Sequence, residues 1–240
     1  GLGHVAVEAQ GPLSIEAPGL PEAEAQWSGL AADIVIGIHG LGKVGLAVEK
    51  PSLRLRNGQN MIASDADRFE LHAQPDARRP PQDDAVEVTG RLSRLSSPIL
   101  DALSGEKSPA DAALEASVSR VSAAFGRGIE GSPIPPLERW RAARGAAHIA
   151  RGEISKGPIK IAVRGDLALD EAHRLSGRLD VTLEGADALA HRLQIPKFAL
   201  NLARMTGGKL SLPAELADGR VTATLGPVAV SLPVVLVPLY

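Results

Sequence analysis

Cysteine is absent from the 240 residues. Disulfides, thiolate metal sites and cysteine nucleophiles are therefore excluded. The compartment stays open, because large periplasmic domains often do without disulfides. Aromatic residues are scarce: three Phe, two Trp and one Tyr. Apolar surface must come from Ala, Val, Leu and Ile. Such surfaces suit a structural core or a slot for alkyl chains better than a site that stacks bases or sugars. An excess of one charge is missing too. With 26 basic and 28 acidic residues the net charge is −2, so there is no strong footprint for nucleic acid or an anionic surface. No run approaches the roughly 20 apolar residues of a membrane span. The chain starts at Gly1 without methionine. The expectation is a processed or truncated chain, with any signal or anchor preceding Gly1.

What the chain has instead is alternation. Ile159, Ile161, Val163, Gly165, Leu167 and Leu169 alternate with Lys160, Ala162, Arg164, Asp166 and Ala168. After Asp170–His173 the pattern resumes: Leu175, Gly177, Leu179, Val181 and Leu183 against Arg174, Ser176, Arg178, Asp180, Thr182 and Glu184. Period two marks a half-buried strand. Two such runs around a short polar turn predict a long antiparallel hairpin, wet on one face and apolar on the other. Its candidate apolar face is Ile161, Val163, Leu167, Leu169, Leu175, Leu179, Val181 and Leu183.

Similar runs recur along the chain. They lie at Val5–Val7 and Leu13–Ile15, at Ile34 to Ile38, Val44 to Val48, Leu53 to Leu55 and Phe69 to Ala73. Others follow at Val86 to Leu92, Leu114 to Val118, Leu210 to Leu212, Val221 to Leu225 and Val228 to Val230. Glycine, proline, asparagine and aspartate separate them. Many strands without long helices between them predict an antiparallel sheet rather than a doubly wound one. Short helices are expected at Ser97–Leu103, Pro136–Arg144, Gly185–Leu193 and Lys197–Met205; the second opens on a proline favourable in a first turn. The segments 76–84 (DARRPPQDD) and 126–136 (GRGIEGSPIPP) read as loops in a single elongated β-rich domain spanning 1–240.

Site chemistry is thin. None of His4, His39, His72, His148, His173 and His191 has a partner at zinc-motif spacing, apart from a weak His191–Asp187 pair. No metal and no cofactor is expected. Asp166, Asp170 and Asp180 are carboxylates that acid–base chemistry would need. On a wet sheet face their simpler partners are Arg164, Arg174 and Arg178, as cross-strand ion pairs. There is no G-x-S-x-G elbow, and the stretch Gly37–Gly42 lacks the ending of a phosphate loop. Arg139, Arg141 and Arg144 surround Trp140, which reads as a helix anchored on a sheet with arginines at its rim; a membrane-facing helix is the alternative. The apolar run Val228 to Leu239 is too short to span a bilayer. Pro233 and Pro238 make it an edge strand or a partner-binding tail.

A set of residues resembles the domain of unknown function 2125 family (DUF2125). They are Trp140 before Gly152-Glu153-Ile154, the run Arg164 to Asp170, His173, Leu175-Ser176-Gly177 and Gly185-Ala186-Asp187. Asp218-Gly219-Arg220, Leu225-Gly226-Pro227 and the earlier run Ala66 to His72 complete it. The likeness covers roughly Gly11 to Val230. It implies a proteobacterial envelope protein facing the periplasm, anchored to the inner membrane by a segment preceding residue 1. It brings no catalytic residues. The strand-rich pattern is also similar, by analogy only, to the β-groove proteins that move lipids between membranes.

The reading is a mainly β fold with a few short helices. Its large curved antiparallel sheet forms a half-pipe or an open sandwich, and its apolar face must be buried somewhere. The expected function is non-enzymatic: an envelope-associated periplasmic protein holding a lipid or other alkyl chain in an aliphatic groove. The alternative is a structural or adaptor subunit that meets an envelope protein through the C-terminal tail. Neither reading involves nucleic acid. An enzyme would need Asp166, Asp170 and His173 to converge.

Overall fold

The computed structural model describes residues 3–15, 22–37, 40–57, 60–125, 135–190, 197–225 and 228–235. In chain order the strands are β1 (Gly3–Ala9), β2 (Leu13–Ile15), β3 (Glu22–Gln26), β4 (Gly29–Gly37), β5 (Gly40–Glu49), β6 (Ser52–Asn57), β7 (Asn60–Asp65) and β8 (Arg68–Pro75). Then come β9 (Val86–Leu95), β10 (Ala110–Val118), β11 (Ala147–Lys156), β12 (Ile159–Leu169), β13 (Leu175–Glu184), β14 (Lys209–Ala217), β15 (Arg220–Leu225) and β16 (Val228–Val235). The helices are α1 (Pro98–Ser104), α2 (Val121–Phe125), α3 (Pro136–Ala142), α4 (Ala186–Leu189) and α5 (Lys197–Met205), with a 3-10 turn at Pro81–Asp83. Hydrogen-bonded neighbours follow the order β1-β4-β5-β8-β9-β10-β11-β12-β13-β14-β15-β16 in one sheet of 12 strands. A second sheet of 4 strands has the order β2-β3-β6-β7. The expectation of a mainly β, antiparallel protein with few short helices holds.

The chain divides into two compact units. The first comprises Gly1–Gln74, Thr89–Leu114 and Ile154–Lys160. Here the orders β1-β4-β5-β8 and β2-β3-β6-β7 are the two halves of the same four strands, each broken once. The breaks are short, at 10–12, 27–28, 50–51 and 66–67. Pro12 and Pro51 supply no N–H to a ladder, and Lys50 takes a φ of 47°. Backbone bonds tie the breaks together: Ser28 N–H to the Glu49 carbonyl, Lys50 N–H to that of Asp67 and Ala66 N–H to that of Pro51, each 2.9 Å. The Trp27 indole donates to the Ala9 carbonyl at 2.9 Å on the same line.

The second unit comprises Pro75–Val88, Glu115–Glu153 and Ile161–Tyr240. Between β12 and β13 the chain turns at 170–174. Asp170 N–H donates to the Arg174 carbonyl at 2.9 Å, and His173 N–H to that of Asp170 at 3.0 Å. The Asp170 carboxylate accepts from the Arg174 N–H at 2.8 Å, a local side-chain closure typical of aspartate in turns. Gly165 and Gly177 sit at φ 139° and 147°. A Cβ on Gly165 would fall on the Arg178 carbonyl oxygen, and one on Gly177 on that of Asp166. Only glycine tolerates both that backbone region and that approach.

The C-terminal run forms β16, paired antiparallel with β15 at one end of the sheet. Leu232 pairs with Val221 but Val235 with Arg220, so Pro233 falls in the register break, where a missing N–H costs least. Residues 236–240, with Pro238, lie outside the described residues, as do 126–134 of the second expected loop.

Candidate functional site

Both units carry an apolar sheet face, and the registers show how each is built. In the second unit Leu179 stands opposite Ala214, Val181 opposite Leu212 and Leu183 opposite Leu210. Across the next ladder Ala214 faces Ala223 and Leu216 faces Val221. The intervening positions are polar. Arg178 lies 3.9 Å from Glu215, Lys209 lies 2.9 Å from Glu184, and the Thr182 and Ser211 hydroxyls meet at 3.2 Å. Helix α5 packs against β14 and α4. Its buried Ala199 and Ala203 are four apart, one turn on one face. Ala186 and Leu189 of α4 are buried as well.

Of the residues that the sequence assigns to this face, Leu169 and Leu183 are buried. Ile161, Val163, Leu167, Leu175, Leu179 and Val181 are half-buried. Arg178 meets Glu215 of β14 rather than an aspartate of its own hairpin, a partner no local reading of two strands provides.

The first unit has a second apolar face. Val5, Ile34, Val44 and Ala73 form one cross-strand row over β1, β4, β5 and β8. Val7, Ala32, Leu46 and Leu71 form the next, and Ala9, Leu30, Val48 and Phe69 the third. Val5 and Val7 are 45% and 43% exposed, and of the twelve only Val48 is buried. Beyond the strand breaks, Leu13 pairs with Ala25 and Ala25 with Leu53; both leucines are exposed. The opposite face of this second sheet pairs Glu24 with Arg54 and Glu22 with Arg56. Of the five helices among the described residues, α1 alone belongs to this unit; it packs against β7 and leaves Ile99 and Leu103 exposed. Among the described residues no large side chain anywhere is fully buried. The alternation of these strands is legible; the exposure left on this face is not, since period two reports facing and not cover.

The acid–base candidates are dispersed among separate partners. Asp166 meets His148 at 2.8 Å, Asp170 meets Arg174 at 2.8 Å, and His173 meets Glu138 at 3.3 Å. The Arg174 N–H, the largest cause, holds the Asp170 carboxyl below its ordinary pKa. Among the described residues no group of three His, Asp or Glu is placed to hold a metal ion. Asp187 pairs with Arg204 at 2.7 Å, and His191 lies outside the described residues. Trp140 is anchored as expected, its indole donating to the Ser119 carbonyl at 2.7 Å.

The 76–84 segment is a loop, held at both ends by aspartates. The buried Asp76 accepts from the Arg78 N–H and Nε, both at 3.0 Å, and from the Ser117 hydroxyl. The Arg78 hydrogen bond outweighs the effect of burial and brings the Asp76 pKa down from 3.8 to about 2. Asp84 accepts from the Ser122 N–H at 2.6 Å and from its hydroxyl, satisfying a free donor in the first turn of α2.

A family profile described as "Uncharacterized protein conserved in bacteria (DUF2125)" matches residues 1–232. The chain belongs to the DUF2125 family. Comparison of this DUF2125 chain with curated proteins gives no match, and comparison with solved structures gives none either. Among its described residues no helix is long and apolar enough to cross a membrane.

Proposed function

We propose that this DUF2125 protein is a non-enzymatic, envelope-associated protein of the periplasm. It holds a lipid or other alkyl chain against an aliphatic sheet face. The observation that carries the reading is the exposure of Val5 and Val7, 45% and 43%, at the ends of rows made of Ile34, Val44, Ala32, Leu46 and Leu71. A contiguous apolar surface that a protein does not cover marks an interaction site. Its makeup selects the ligand. The rows are aliphatic apart from Phe69, with no stacking platform and no convergent polar handles, which fits a saturated chain better than a ring or a sugar. The proposed site is the first unit's face; the β12–β13 hairpin continues on β14, against which α5 packs.

The separate engagement of Asp166, Asp170 and His173 supports the non-enzymatic part. The adaptor reading loses its motive in the tail, because residues 228–235 already pair with β15. Organic extraction of purified protein followed by mass spectrometry tests the proposal. Co-purifying lipid, and a fluorescent fatty acid that binds at micromolar levels, is the expected result. Absence of both, together with a stoichiometric protein partner from membranes, would move the adaptor role to first place.

A further inference from the structure

Three arginines line one polar cavity of about 250 Å³ in the second unit: Arg79, Arg120 and Arg144, with His148, Asp83 and Asp166. They come from three places, the 76–84 loop, the segment after β10 and the turn after α3. Arg120 and Arg144 are held at φ 60° and 57°, a left-handed region that costs a non-glycine residue on the order of 1 kcal/mol. The walls are fixed. Arg120 N–H donates to the Asp83 carbonyl at 2.9 Å, and the Arg120 guanidinium to that of Gln82 at 2.7 Å. Ser119 and Ala146 exchange bonds of 3.2 and 3.1 Å.

The other two arginines around Trp140 are spoken for. Arg139 donates to the Ala124 carbonyl at 2.5 Å, and Arg141 to Glu138 at 2.6 Å. Among the described residues the guanidinium groups of Arg79 and Arg144 make no hydrogen bond or ion pair, while their backbone N–H groups donate to the Asp76 and Arg141 carbonyls at 3.1 and 2.9 Å. Asp166 is taken by His148 at 2.8 Å. Three guanidiniums against two carboxylates leave the cavity positive.

We propose that this cavity is a binding site for a phosphate or phosphomonoester group. Guanidinium groups carried on three separate segments suit a tetrahedral oxyanion, which has more oxygens to share than a carboxylate. The volume lies below the roughly 300–1,000 Å³ of drug-sized ligand sites, so the group it takes is small. The site does not rest on the alkyl-chain reading, because it lies in the second unit and uses none of the first unit's rows.

Calorimetric titration of the full chain with inorganic phosphate tests it. Flotation with phosphatidylcholine vesicles, with and without phosphatidic acid, distinguishes the source of the phosphate. Saturable phosphate binding is expected, weakened about ten-fold or more by Arg79→Gln or Arg144→Gln and partly retained in Arg144→Lys. Arg91→Gln, the same charge change on the exposed face of β9, should leave binding unchanged. Both cavity arginines are exposed, so the variants should melt with the wild type; if Arg144→Gln melts lower, Arg79→Gln carries the test. Flotation that depends on phosphatidic acid and is competed by phosphate identifies a lipid headgroup. Phosphate binding without flotation identifies a soluble phosphate. No saturable phosphate binding at about 10 mM, or equal weakening by Arg91→Gln, overturns the site.

Discussion

Leu210 on β14 is 4% exposed and Val7 on β1 is 43% exposed, although each stands in a row of aliphatic partners. Leu210 faces Leu183 across one ladder, and Val7 faces Ala32, which faces Leu46. β14 lies between β13 and β15, whereas β1 ends the strand order, so one flank of Val7 is open as well. The outward end needs a second layer. In the second unit α5 supplies one, with α4 packed against it and the buried Ala199 and Ala203 on one face of α5. In the first unit α1, the one helix among its described residues, sits against β7 instead. A half-buried valine or leucine forgoes about 1 kcal/mol of transfer free energy. Repeated over three rows, this is stability that a bound apolar molecule can recover. The same alternation therefore yields a core in one unit and a candidate binding face in the other.

The largest effect should come from charging the covered face. Leu210→Asp places an unpaired carboxylate beneath α5 and should cost several kcal/mol, enough to unfold a typical domain. A soluble variant that melts cooperatively near the wild type would show that the second unit's face is open after all. Next is Ala203→Glu, which pries α5 from β14. A loss of about 2–4 kcal/mol is expected, with dye binding to the newly bared strands. Undiminished stability in denaturant melts would remove the helix as a cover.

Asp76→Asn tests the loop of the second unit. The folded pKa of about 2 lies below the ordinary 3.8. The carboxylate thus contributes stability that is fully present above about pH 4 and lost as pH falls towards 2. The variant should lose about 1–2 kcal/mol at pH 7, and its melts should change less between pH 4 and pH 2. An unchanged acid profile would contradict the pairing with Arg78. On the bare face Val7→Asp should cost under about 1 kcal/mol yet weaken fatty-acid binding, the reverse of Leu210→Asp. Smallest of all is Arg178→Glu. Its contact with Glu215 is long and exposed, worth at most a few tenths of a kcal/mol, and a larger loss would show that the polar face is covered.

Much of this was legible in the residues. Helix α5 spans the expected Lys197–Met205, and the 159–184 hairpin turns at the polar Asp170–His173 segment where the alternation pauses. Three strands resisted. β3 (Glu-Ala-Glu-Ala-Gln) is built of strong helix formers, and its pairing with β6 overrides that preference. β7 is short, and its pattern is interrupted by Ala63 and Ser64. In β11, Ile149 and Ile154 are an odd number apart and point to opposite faces, while Gly152 and Lys156 take the buried places. Lys156 is tolerated there because Asp101 pairs with it at 2.6 Å, a contact 55 residues distant that no window reveals. The cavity arginines are invisible to a window for the same reason: Arg144 lies beside Trp140, Arg79 in a charged loop and Arg120 just past the end of a strand.

Photo-crosslinking with a diazirine fatty acid, followed by peptide mapping, tests the central claim most directly. If the first unit's face holds the alkyl chain, the label falls on peptides from β1, β4, β5 and β8, and Val7→Asp reduces it. Label confined to β13–β15, or spread evenly over both units, would contradict the account.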